Sequence, residues 1–170
     1  VTGLVPGASL WDVVWGFSEL QADEILRSSS FFQELRAGNL TQRCYTHFLQ
    51  QEALYLTGVS SSLEWLRLSF PPMVLDDPVY YLLALSARFQ LRVLMAGEMM
   101  GVGVKESRVP QQWREDTQEE VALILRLRKL MEERQEHMDA FKAINIFREQ
   151  MMNQKSFYKA LACDEDEKKR

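Results

Sequence analysis

Glu52 is the residue of this chain best placed for chemistry. Tyr45, Phe48, Leu49, Glu52, Leu56, Val59 and Leu63 recur at the three- and four-residue spacing of one helical face, so a carboxylate falls among side chains that should be buried. Three environments are open to it: a pocket acid that meets a ligand, the partner of an arginine such as Arg43 or Arg92, or a side chain tilted out to solvent. Gly97, Gly101 and Gly103 form a second candidate, because glycine lets a flat ligand reach the backbone, although it also allows close helix packing or ends a helix. Cys44 is a nucleophile only with a base beside it, and no base is evident in the sequence. His47 and His137 are the only histidines and lack the carboxylate spacing of a metal site, so no metal is expected.

The elements that must position these groups read as helices throughout. Ser9 and Asp12 form a capping-box pair, and Leu10, Val13, Val14, Phe17, Leu20 and Glu24 follow one face of a helix predicted to run to about Arg27. Ser28 to Ser30 breaks it, and a short helix from Phe31 to Ala37 stops at Gly38. Asn39 with Gln42 then opens a long helix, from Leu40 to about Leu68, that ends before Pro71-Pro72. Asp77 and Pro78 start a third, whose predicted buried stripe is Leu82, Leu85, Ser86, Phe89, Val93, Ala96 and Met100. Lys105 to Glu115 reads as a loop, and Thr117 with Glu120 as the cap of a fourth helix carrying Val121, Ile124, Leu125, Leu127, Leu130 and Met131. A fifth carries Phe141, Ile144, Phe147, Met151 and Tyr158 to about Ala162. No strand-like alternation or internal repeat interrupts this order.

With 170 residues, 46% apolar and 26% charged, the chain has the size and composition of one globular domain, expected over 1–163, followed by a charged solvated tail over 164–170. A net charge of −4 offers no field for nucleic acid. Arg88, Gln90 and Arg92 interrupt the apolar run from Val79 to Met100, which argues against a membrane span. Two cysteines, Cys44 and Cys163, are too few for a disulfide framework, and with no signal peptide in Val1 to Ser9 the expected location is cytoplasmic.

Phe31, Leu35, Gly38, Leu40, Tyr45, Leu49, Gln51-Glu52 and Tyr55 together resemble the first helical hairpin of the heme oxygenase-like superfamily, which holds heme oxygenases and the TenA-type thiaminases II. Gly97-Glu98-Met99-Met100-Gly101-Val102-Gly103 is similar to the distal-helix motif of heme oxygenases, and Ala140 to Phe147 to their last core helix. The resemblance implies an all-α, heme oxygenase-like bundle with Glu52 and Tyr55 in the pocket, and Gly97, Glu98 and Gly101 close over it. It also implies departures. Asp23, with Glu24 beside it, stands where heme oxygenases carry their iron-ligating histidine, and no cysteine lies between Cys44 and Cys163 to serve as the TenA nucleophile. The expectation is therefore a bundle that binds a small-molecule ligand or a partner, with self-association open, and that has lost both parent reactions. Heme binding and degradation with a non-standard proximal ligand stands second, and TenA-like hydrolysis of a thiamine pyrimidine third.

Overall fold

The computed structural model describes residues 7–54, 78–99 and 108–161, and among them the secondary structure is helical with no strand. Two short helices, α1 (Leu10–Gly16) and α2 (Glu19–Ser28), replace the single helix predicted up to Arg27. Gly16 weakens the helix at that point, and the chain turns through Phe17 and Ser18, whose amide donates to Trp15 O at 2.9 Å. The Ser9 side chain caps nothing. The amide of Leu10 donates instead to Gln135 Oε1, 3.0 Å away and 125 residues later, so a distant amide side chain takes over the local capping role.

Helix α3 (Ser30–Ala37) begins where the serine run predicts a break, with Ser29 Oγ accepting the Phe32 amide at 3.1 Å. Gly38 closes it at φ 75°, and the Asn39 amide reaches back to Glu34 O at 2.9 Å. A side chain at that φ would be strained. The amides of Asn39 and Leu40 both turn back to Glu34 O, and the next helix begins two residues later than the predicted start at Leu40, so Asn39 is not its cap. It starts as α4, described over 42–54, with Thr41 Oγ1 accepting the Cys44 amide at 3.1 Å. The predicted continuation of that helix and the Asp77 cap lie outside the described residues.

Helix α5 (Pro78–Glu98) buries Val79, Leu83, Ala87, Leu91 and Met95, while Leu82 faces solvent. The predicted stripe is borne out only in part: Ser86 is buried and Phe89 and Ala96 are half-buried against the core, but the centre of the buried face is rotated away from Leu82. This helix is apolar on most of its circumference, so spacing alone fits more than one face, and the deciding residues are the charged Arg88 and Arg92, which point inward.

Helix α6 (Arg108–Arg134) overturns the predicted loop from residue 108 onward. Pro110 occupies its first turn, where a missing N–H costs nothing. Thr117 and Glu120 are mid-helix and buried, not a cap; Thr117 Oγ1 donates to Trp113 O at 2.6 Å. A 3₁₀ turn, Gln135–His137, leads to α7 (Ala140–Ala160), capped by Asp139 Oδ1, which accepts the Lys142 amide at 3.1 Å. Of the apolar residues read on this helix, Phe147, Met151 and Tyr158 are buried while Phe141 is 72% exposed. Helix α5 lies against both α6 and α7, α1 and α2 pack on α7, and α1 and α3 on α6, so the core forms around the inner face of α5.

Candidate functional site

Glu52 is 6% exposed and lies on the inner side of α4, one turn past Phe48. Arg88 and Arg92, one turn apart on α5, meet it: Arg88 Nη2 stands 2.6 Å from Glu52 Oε1, and Arg92 Nη1 3.2 Å from Glu52 Oε2. Arg92 Nη1 also donates to Glu120 Oε1 of α6 at 2.6 Å. Three helices therefore close a chain Arg88–Glu52–Arg92–Glu120 in the interior. Of the environments open to Glu52 in the sequence, solvent exposure is excluded and arginine pairing is realised, with Arg92 and also Arg88.

An aromatic floor supports the cluster. The Arg92 guanidinium lies 4.9 Å from the Trp113 ring centre and 5.8 Å from that of Phe48, and Phe48 in turn packs on Phe31, Trp113 and Tyr158. These faces carry the negative part of the ring quadrupole and favour the cation. Tyr45 donates its hydroxyl to Asp116, extending the polar path along α6.

Burial shifts the titration of the cluster. For Glu120, desolvation is the largest influence and raises the carboxyl to about 7, against the pull of Arg92 and Arg88 and with help from the neighbouring charges of Glu52 and Asp116. For Arg92 burial opposes the charge, but Glu52 and Glu120 outweigh it and hold the guanidinium above its usual value. Burial, with the nearby Glu52, drives the Tyr158 phenol upward, and burial with Asp116 does the same to Tyr45.

The cluster is incompletely satisfied. Arg88 Nε, Arg92 Nε, Trp113 Nε1 and Glu120 Oε2 are buried and have no hydrogen-bond partner among the described residues. Such groups are uncommon in a folded interior, since each forfeits its hydration.

The remaining predicted site residues are dispersed. Asp23 is 52% exposed and pairs with Arg27 at 2.6 Å along the surface of α2. Glu24 pairs with Lys155 at 2.7 Å, which together with Arg27 holds its carboxyl below the usual value, and it borders a cavity of about 380 Å³ beside Ser28, Ser30 and Lys159. Gly97 borders a mostly apolar groove of about 490 Å³ between α5 and α6, and a Cβ added there would meet open space, so close packing against protein does not explain this glycine. Glu98 stands 4.0 Å from Arg36 at the surface. Tyr55 and Gly101 lie outside the described residues. Cys44 is disulfide-bonded and offers no thiolate. Sequence reasoning missed Arg88, Glu120, Trp113 and Tyr158; the signal that was present is the Arg88/Arg92 pair, four apart within an otherwise apolar helix.

No family model, no curated protein and no solved structure matches this chain.

Proposed function

We propose that this chain is a ligand-binding helical bundle of the heme oxygenase-like type, with the Arg88–Glu52–Arg92–Glu120 cluster as its binding site and without either parent chemistry. The observation that carries this reading is the set of four buried polar atoms in one neighbourhood that have no partner among the described residues. A purely structural ion-pair network gains by saturating its hydrogen bonds, whereas a binding site keeps some in reserve for a ligand. Heme binding has less support, because Asp23, in the proximal position of the resemblance, is engaged with Arg27 on the outer surface of α2. The Cys44 disulfide favours an oxidising compartment over the cytoplasmic one expected from cysteine count.

Native mass spectrometry of the purified full chain tests the reading. A stoichiometric small molecule is expected on the wild type and lost from Glu52→Gln, with circular dichroism reporting that the variant still folds. A wild-type chain that carries no small molecule and shows no thermal shift with a metabolite collection overturns it. Hemin titration separates the second reading, for which a stoichiometric Soret complex is the required result.

A further inference from the structure

We infer that the cluster takes one small monoanion, an oxyanion or a carboxylate group, together with one proton on Glu120; this rests on the reading of the cluster as a ligand site. The donors decide the ligand's sign. Three of the four unpartnered atoms, Arg88 Nε, Arg92 Nε and Trp113 Nε1, can only donate, so their complement is an acceptor. The three residues are neighbours: Arg88 lies one turn from Arg92 on the same helix, both arginines meet Glu52, and the Trp113 ring centre lies 4.9 Å from the Arg92 guanidinium. Hydrogen bonds from guanidinium groups to an anionic acceptor are the short, strong kind.

Charge balance supplies the proton. With Glu52 and Glu120 both ionised, the two arginines are already neutralised, and an added anion would leave an uncompensated negative charge in the interior. With Glu120 protonated, the cluster carries one net positive charge and an anion restores neutrality. Glu120 Oε2 is then able to act as a fourth donor. The groups facing Glu120 are Arg88 and Arg92 from α5, Glu52 from α4 and Asp116 from its own helix, with Tyr158 of α7 beneath and Asp116 itself bound by Tyr45. Their sum leaves the Glu120 carboxyl at about 7, so taking up the proton costs little near neutrality.

Calorimetry of the full chain with sodium formate and sodium nitrate, at pH 6 and pH 8 and constant ionic strength, tests the inference. Affinity is expected to be about tenfold tighter at pH 6 than at pH 8, and paired buffers of different ionisation enthalpy at pH 8 should report close to one proton taken up per anion. Glu120→Gln should bind with an affinity independent of pH and without proton uptake. Hexanoate, run alongside, separates the sources: rejection with formate bound assigns the site to a free small anion, and binding at least as tight as formate assigns it to the carboxylate of a larger ligand. Equal affinity at both pH values, or no proton uptake in the wild type, overturns the coupling even if the variant fails to fold. Failure of all three anions on a chain that carries a copurified neutral or cationic molecule overturns the anion inference and leaves the ligand site standing. Failure of the anions on a chain that carries nothing overturns both.

Discussion

The molecule contains the same ionic contact in two settings. On α2, Asp23 and Arg27 meet at 2.6 Å with both side chains more than half exposed. Between α4, α5 and α6, Arg88, Glu52, Arg92 and Glu120 meet at similar distances with almost no exposure. In the surface pair water competes with the partner and hydrates either group once the other is gone, so little is gained and little is at stake. In the buried cluster no water replaces a lost partner, and each group depends on the others. Geometry alone would rank the two contacts together. Burial separates them, and the expected cost of breaking one differs from that of the other by about an order of magnitude.

Four changes, from the largest effect to the smallest, sharpen that contrast. Arg92→Met keeps much of the side-chain volume but strips Glu120 of its arginine contact, and should lower unfolding free energy by about 4 kcal/mol in denaturant titrations at pH 7. Glu52→Gln leaves Arg88 without a carboxylate, and a loss of about 3 kcal/mol is expected. A variant as stable as the wild type would mean that solvent reaches Glu52 and that the buried cluster is no different from the surface pair.

The third change is pH itself. Glu120 has a folded-state value of about 7 against the 4.5 of the free side chain, so between these values the folded chain keeps a proton that the unfolded chain has released. Its contribution is complete below about pH 4.5 and is lost as pH rises through about 7, a decline of about 2 kcal/mol in urea titrations across that window, and it should be absent in Glu120→Gln. The opposite slope specific to Glu120 would mean that its carboxyl is stabilised as the anion. Smallest of all, Asp23→Ala should cost about 0.3 kcal/mol at low salt, and that difference should vanish in 1 M NaCl.

The helices were legible in the sequence wherever the signal is local. Gly38 could be read as a helix stop because φ 75° is open to glycine, and the break at Ser29 because its hydroxyl can cap. Where a distant group substitutes for a local one, the reading failed: Gln135 rather than Ser9 receives the first amide of α1, and Thr117 and Glu120 mimic a cap inside a helix. The site follows the same division. That Glu52 is buried follows from its register on α4, but its partners stand about 40 residues away on α5, and Glu120 meets Arg92 across 28 residues. Spacing within one helix carries no information about which helix will face it. The apolar circumference of α5 hid its inner face for a related reason, since Leu82 and Leu83 are equally suited to burial until Arg88 and Arg92 are known to find carboxylates inside.

One contact made far from the cluster bears on how the bundle opens in time. The phenol oxygen of Tyr80, at the start of α5, accepts the amide of Asp139 at 2.8 Å, just ahead of α7, and Lys142 lies 4.4 Å over the same ring. Amides at a helix start ordinarily exchange their hydrogens with water quickly, having no carbonyl a turn behind them. Asp139 should instead exchange as slowly as the middle of α7, because its hydrogen is released only when the two helix starts part. In Tyr80→Phe that one amide should exchange orders of magnitude faster while the centre of α7 keeps its rate, dividing the opening of a helix end from the unfolding of the whole.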